Sequence, residues 1–204
     1  MAKIKLTKNE LKKQKDNLKR FVRYLPTLEL KKKQLLQEIQ KVQAVIDRCH
    51  ADMERLEEEV SRWVDVFGEK IEIEKLFRVA DVQTDVGNIA GIDIPVFRGV
   101  DFTDEAVDYF LTPLWIDRGI EVCKDRIRLL AELDIAEKQQ NILRDELRIT
   151  TQRIKLFEEV KIPESKENIR VIQIFLGDQQ TAAVVRGKIA KSKIEKKKQE
   201  GVAA

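Results

Sequence analysis

The side chains best suited to catalysis or metal binding are few in this 204-residue chain. It contains one histidine, His50, and two cysteines, Cys49 and Cys123. A structural zinc site takes four ligands and a disulfide framework takes several cysteine pairs, so neither is available. The phosphate-loop, dinucleotide, zinc-protease and nucleophile-elbow motifs are also missing from the sequence. We therefore predict a non-enzymatic protein that needs no cofactor or metal.

Charged side chains are abundant in this chain, and their signs are unevenly distributed along it. Residues 1–33 carry 12 basic and 3 acidic side chains and residues 181–204 carry 7 and 2, whereas the part between them carries 20 and 31. The cluster Lys31-Lys32-Lys33 and the terminal lysines have the chemistry to contact phosphates or anionic lipid. No aromatic platform is interleaved with them, so direct nucleic-acid binding is the weaker interpretation and a solvated helix face the stronger one.

A long helix must position the first of these basic segments. Apolar residues in its second half recur at alternating spacings of four and three, which is the signature of a coiled-coil seam. The seam positions are Leu35, Ile39, Val42, Ile46, Cys49, Met53, Leu56, Val60, Trp63 and Phe67. Upstream the pattern slips near Pro26, where the missing N–H predicts a kinked or loosened helix.

A second long helix is predicted in the C-terminal half, starting near Thr103 or near Thr112 and Pro113. Its seam is predicted first at Ile116, Ile120, Cys123, Ile127 and Leu130. After an irregularity through Leu133 and Ala136, the register resumes at Gln140, Leu143, Leu147, Thr150, Ile154 and Phe157. The polar members Gln140 and Thr150 cost stability and favour one register. Pro163 is predicted to interrupt the helix, after which a weaker apolar face is carried by Ile169, Ile172, Leu176, Ala183 and Val184.

Between the helices the apolar period changes to two, which predicts a β-hairpin. Ile71 and Ile73 alternate with charged residues, and residues 77–86 are rich in strand formers. Turn chemistry is supplied by Gly87-Asn88 and by Gly91, and alternation resumes at Ile92, Ile94 and Val96.

These elements predict an all-α dominated fold: a long antiparallel two-helix coiled coil with a small β-hairpin region at its turn end. A single elongated domain is expected, with residues 1–67 as the first helix, 68–112 as the hairpin and connector, and 113–204 as the second helix with a basic projecting tip. Such pairing places Phe67 near Pro113 and staggers Cys49 and Cys123 by about 12 Å, too far for a disulfide. The second arm is the longer one, so its last ~20 residues should project beyond the first helix.

The segment from Gly177 to Lys188 lies on that projecting arm and combines two glycines with a run of small residues. A frayed tail is one interpretation of this segment. The other is a slender tip that fits inside another protein, because small residues permit close approach.

Three strings on this frame resemble the D subunit of the V-type ATPases and ATP synthases. Leu6-Thr7-Lys8 is similar to the family's opening L-T-K pattern, and residues 88–95 resemble its N-[VI]-x-G-[VI]-x-[IV]-P hairpin segment. Residues 153–163 match its R-[VI]-x-x-[LF]-E-x-V-x-I-P string. Lys155, Leu156 and the Gly177-Asp178-Gln179-Gln180 tail depart from the common pattern, which indicates a divergent bacterial branch.

This resemblance implies a non-catalytic central-stalk protein, the rotor shaft of a rotary ATPase, that transmits torque between a nucleotide-binding hexamer and a membrane ring translocating H⁺ or Na⁺. The implied partners are the nucleotide-binding subunits A and B, the F subunit of the stalk and a funnel-shaped subunit linking to the membrane ring. The residues expected at the hexamer-contact tip are Lys3, Lys5, Lys8, Gly177, Asp178, Gln179, Gln180, Thr181, Arg186 and Lys188. Those expected to make lower-stalk contacts or to modulate activity are Ile71, Ile73, Phe77, Asn88, Gly91, Ile94 and Pro95.

Two other functions fit the same seams. A cytosolic coiled-coil scaffold would use them for homodimerisation, and a basic helical protein would bind nucleic acid with a steep salt dependence. No stretch approaches the roughly 18 apolar residues of a membrane span and no apolar leader is apparent, so a cytoplasmic protein is expected, peripheral to the membrane through its complex.

Overall fold

A computed structural model describes residues 4–63, 73, 76–105, 113 and 115–200. The elements in chain order are α1 (Lys8–Ser61), β1 (Phe77–Ile89), β2 (Ile92–Asp104), α2 (Ile116–Lys155), a π-helical segment (Leu156–Lys161) and α3 (Ile162–Glu200). Two long helical arms with one hairpin between them confirm the predicted all-α dominated class. The chain divides into two compact units, one formed by residues 1–29 and 152–204 and the other by residues 30–151.

In the unit of residues 30–151, α1 and α2 run antiparallel. Gln140 Nε2 donates a hydrogen bond to Gln43 Oε1 at 2.6 Å, and Lys31 Nζ lies 2.8 Å from Glu146 Oε1. Closer to the hairpin base, Arg118 Nη2 lies 2.5 Å from Glu59 Oε1. Residue numbers rise along one helix as those of their partners fall along the other, as the connector length predicted.

The hairpin joins β1 to β2 through the two-residue turn Ala90-Gly91. Both residues have positive φ, 52° and 79°, which is the requirement of the type I′ turns that suit the twist of a hairpin. The Asn88 side chain braces this turn, since its Oδ1 accepts the Gly91 N–H at 3.1 Å and its Nδ2 donates to Asp93 Oδ1 at 2.7 Å. Gly87, one of the predicted turn residues, instead lies within β1.

The hairpin folds back along the helices of this unit, so its turn end enters their core. The buried core cluster contains residues from α1, α2 and β2, namely Leu35, Val42, Ile46, Ala136, Leu143 and Ile94. Gln139 of α2 donates its side-chain amide to the Pro95 carbonyl of β2. Pro95 tolerates this place in a strand because it pairs with Val86 without having to donate to the ladder.

The open end of the hairpin is anchored to α2 by charge and aromatic contacts. Lys124 Nζ lies 2.5 Å from Asp104 Oδ1 and sits over the rings of Phe77 and Phe102 at 5.8 and 5.7 Å from their centroids. Arg128 lies over Phe102 from the next turn of α2, 5.1 Å from the ring centroid. Cation–π contacts of this kind hold strand ends to the helix without a deep apolar core.

In the other unit, the opening of α1 is capped as its sequence suggests. Thr7 Oγ1 accepts the Glu10 N–H at 3.3 Å, the side-chain bond of a capping box T-x-x-E. The helix then continues through Pro26 to Ser61. Phe21 meets Phe157 of the opposing arm with their ring centroids 5.1 Å apart.

Pro163 does not interrupt the second arm in the way the sequence predicted. The chain passes through the π-helical segment, in which the Ile162 N–H bonds to the Phe157 carbonyl five residues back, and then continues as α3 to Glu200. The wider turn absorbs one extra residue: the half-buried Phe157 is followed on the same face by Ile162, five residues on, and then by Ser165, Ile169 and Ile172. A helix of regular hydrogen bonding would have rotated these last residues off the seam.

Candidate interaction surfaces

The C-terminal part of α3 presents a bare helix. Every described residue from 177 to 196 is exposed, which includes all the predicted tip residues of this segment. Large apolar side chains are among them, with Val185 49% and Ile189 52% exposed. The sequence prediction emphasised the glycines and the polar residues and placed Val184 on a weak apolar face, but it missed the other exposed aliphatic side chains: Val185, Ile189 and Ile194. The spacing of Val185 and Ile189, one helical turn apart in a stretch with no predicted intramolecular partner, could have identified them.

The predicted tip residues of the N-terminal segment lie at the start of α1. Lys5 and Lys8 are exposed on either side of the capping residue Thr7, and Lys3 lies outside the described residues. Exposed Lys12, Lys13 and Arg20 continue the basic surface along the same helix. This segment and the C-terminal part of α3 belong to the same compact unit.

Two of the predicted lower-stalk residues are inside the protein. Phe77 and Ile94 are 8% and 4% exposed, Phe77 against Lys124 and Ile94 in the helix core. Gly91 belongs to the turn and donates its N–H to the Asn88 side chain, and Pro95 is held by Gln139. These side chains therefore position the hairpin. Ile73 is half-buried, and Ile71 lies outside the described residues.

The outer face of the hairpin is acidic and apolar. Residues 77–105 carry six acidic and two basic side chains. Asp85 accepts hydrogen bonds from Arg98 at 2.7 Å and from the Val86 N–H at 2.8 Å, and these bonds, Arg98's first, lower the pKa of its carboxyl. Because Asp85 occupies the Val86 N–H, that position of the strand edge is closed to an added strand.

A groove of about 580 Å³ separates β1 from α2. Apolar side chains from both elements line it: Val79, Val82, Ile127, Leu130, Ala131 and Ile135. Leu130 is 46% exposed here, although the sequence placed it in the seam with Ile127. Ile135, which also lines this groove, is buried, and so is Val122, which lies beside Leu56 and Val60 of α1; the sequence analysis placed neither of them in the seam. The sequence analysis did not identify this groove.

The remaining seam residues stabilise the helices. Four predicted positions of α1 are buried: Leu35, Val42, Ile46 and Cys49. On the opposing arm Leu143 and Ile154 are buried, while the positions that approach the hairpin base are half-buried: Met53, Leu56, Val60, Trp63, Ile120 and Ile127. Ile39 and Leu147 pack against the buried core.

The two cysteines are also seam residues, with Cys49 buried and Cys123 half-buried. Both cysteines are unpaired, and burial is the main cause that raises the pKa of the Cys49 and Cys123 thiols. No group of three His, Cys, Asp or Glu side chains that would hold a metal ion occurs in the described parts of the chain. None of the helices described here has both the length and the apolar character needed to cross a bilayer.

Comparison with known proteins connects this architecture to one family. The family model of the ATP synthase D subunit matches residues 10–192, which is most of the chain. The D subunit of the V-type ATP synthase of Borreliella burgdorferi is 50% identical over 97% of this chain and 98% of its own length. The corresponding D subunits of Chlamydia pneumoniae and Chlamydia abortus are 32% and 30% identical, also over nearly their full lengths. On this match and on its paired helices with an intervening hairpin, the chain belongs to the D-subunit family of the ATP synthases.

Proposed function

We propose that this protein is the central shaft of a V-type rotary ATPase or ATP synthase, and that it carries torque without taking part in the chemistry. Family membership supports a component of such a complex, since the relatives are D subunits of V-type ATP synthases. ATP would be made or hydrolysed on subunits A and B, and ion transport would occur in the membrane ring. The shaft itself needs a surface for each neighbour and a body that resists twisting.

The observation that carries this proposal is the bare C-terminal part of α3. A helix with Val184, Val185, Ile189 and Ile194 exposed to water is unfavourable alone, because each buried aliphatic side chain is worth about 1.5–3 kcal/mol. Enclosure by the nucleotide-binding hexamer would recover that free energy. Gly177, Thr181 and Gly187 keep parts of the helix surface narrow, and Arg186 and Lys188 add charge for acidic or carbonyl groups.

The helix pair of residues 30–151 supplies the resistance to sliding that a shaft requires. A buried polar seam residue favours one register, because any slip leaves its amide unpaired, and Gln140 is such a residue, with half-buried Gln43 as its partner. Ion pairs on the flanks repeat the same register at Lys31–Glu146 and Arg48–Glu132. Torque applied at one end would then turn the two helices together.

The outer face of the hairpin would contact the subunits of the lower stalk. Its exposed aliphatic residues are Val79, Val82 and Val86, and the first two open into the groove against α2. We assign contacts with the F subunit or with the funnel-shaped subunit to this outer face. The buried Phe77 and Ile94 would act indirectly, by holding the face in place.

An affinity pull-down tests the proposal. The tagged chain would be recovered from its native cells at moderate salt, and the eluate examined by mass spectrometry and by an ATPase assay. We expect stoichiometric nucleotide-binding subunits and ATP hydrolysis. Recovery of the chain alone, or as a homodimer by sedimentation, would instead establish the coiled-coil scaffold.

A matched pair of variants separates the tip from the rest of α3. Val185→Asp changes a 49% exposed residue of the tip, and Val171→Asp changes a 42% exposed residue of the same type, about four helical turns before it. Neither should unfold the protein, because both side chains already face water. We expect Val185→Asp to reduce recovery of the nucleotide-binding subunits about tenfold or more, since a carboxylate would be buried unpaired, and Val171→Asp to retain them. Equal recovery with both variants would remove the tip from the interface.

A further inference from the structure

Pro26 lies in the middle of α1 and weakens the helix one turn before it. Proline has no N–H, so the Val22 carbonyl loses the donor it would have in a regular helix. The next residue adds a second irregularity, because the Thr27 hydroxyl donates to the Tyr24 carbonyl at 2.7 Å. Side-chain bonds of this type back to the preceding turn often bend helices.

The opposing arm is irregular at the same level. Leu156–Lys161 is π-helical, and Pro163 follows it without an N–H to donate. The Phe21–Phe157 ring contact brings the two regions side by side, because Phe21 precedes Val22 and Phe157 lies within the π-helical segment. Both helices of this unit therefore depart from regular α-helical hydrogen bonding at the same position along their length.

Packing at this height is thin as well. Among the described residues of α1, the first buried one is Leu35, well past Pro26. On the opposing arm, within the described range 154–172, the only buried side chain between Ile154 and Ile172 is that of Ser165, which contributes little apolar surface. Segments with few buried apolar contacts open locally at low free energy.

We infer that this level, residues 22–27 of α1 with residues 156–163 of the opposing arm, is a built-in compliant joint. Local opening there lets the paired helices bend and twist, while the helix around the buried core residues Val42 and Ile46 remains closed. The joint follows from backbone hydrogen bonding and packing, whether or not the chain is a rotor. In a shaft, such a joint would store part of the twist between rotational steps.

Hydrogen–deuterium exchange of the full-length chain, followed by mass spectrometry, measures the joint directly. We expect the amides of residues 23–30 and 158–166 to exchange at least about tenfold faster than those of residues 36–48, which include the core residues Val42 and Ile46. Pro26→Ala restores one hydrogen bond and removes the ring clash, and it should slow exchange in residues 23–30 about tenfold. Glu29→Ala is the control, an exposed change nearby that leaves the backbone bonding as it is.

A second variant addresses the π-helical segment. Deletion of the exposed Val160 removes the extra residue, which converts the seam spacing after Phe157 to a regular four and three. We expect slower exchange in residues 158–166 and no change in residues 36–48. The joint is ruled out if its wild-type amides exchange as slowly as residues 36–48, or if Pro26→Ala has no more effect than Glu29→Ala. The proline comparison decides the matter even if the deletion variant fails to fold.

Discussion

Leu143 offers a direct test of the core that joins α1, α2 and the hairpin. Its side chain is 0% exposed and belongs to the cluster with Leu35, Ala136 and Ile94. Leu→Ala at such a site removes three carbon atoms and leaves a cavity, because residues from three elements would have to move to fill it. Losses of this kind are about 2–5 kcal/mol, and we expect a decrease of about 3 kcal/mol in the free energy of unfolding.

The neighbouring residue provides the control. Ile142 is 37% exposed on α2, so Ile142→Ala should cost less than about 1 kcal/mol. Urea titrations followed by circular dichroism at the helix band would measure both variants against the parent chain, with the slope checked to be unchanged. A loss below about 1 kcal/mol for Leu143→Ala, or equal losses in the two variants, would refute the three-element core.

Two further predictions use the hairpin and the thiols. In Gly87→Ala the new Cβ would lie 2.8 Å from Val96 Cγ2, so we expect about 1–3 kcal/mol of destabilisation in thermal melts. The control Gly99→Ala, whose new Cβ has nothing within 4 Å, should not change stability. Equal melting temperatures of the two variants would contradict the close approach at Gly87. Burial and a raised pKa should make Cys49 the slowest thiol to react with iodoacetamide at about pH 8, followed by Cys123, with both rates rising as the pH increases through the raised pKa values. Since folding favours the neutral thiols, their contribution to the free energy of unfolding is complete below the unfolded-state pKa and decreases above it. Site-resolved mass spectrometry measures the labelling, and native Cys49 labelled as fast as in urea would disprove its burial.

The heptad pattern determined the helices and their pairing because it is local and long. Residues 35–49 repeat the four-and-three spacing without a break, and only a partner helix can cover such a stripe. A compact connector between the helices then favours antiparallel pairing. Fold class was therefore accessible without coordinates, as was the hairpin, whose alternation and turn residues are equally local.

The place of the hairpin was decided by tertiary structure. Period-two alternation predicts which residues share a face, but it does not say which helix face they meet. Ile94 enters the helix core and Leu130 is left beside a groove because the hairpin folds back along α2. This arrangement also buries two residues that had been predicted as partner contacts, Phe77 and Ile94.

In the second helical arm, too, the sequence determined one feature and tertiary packing another. Its sequence places Ile162 five residues after Phe157, one more than the four-and-three spacing of a seam allows. Whether the chain would break, bend or widen there depended on packing against the first helix, which keeps Phe157 against Phe21. A single π-helical turn preserves that contact and returns Ser165 and Ile172 to the seam, because it adds one residue without ending the helix.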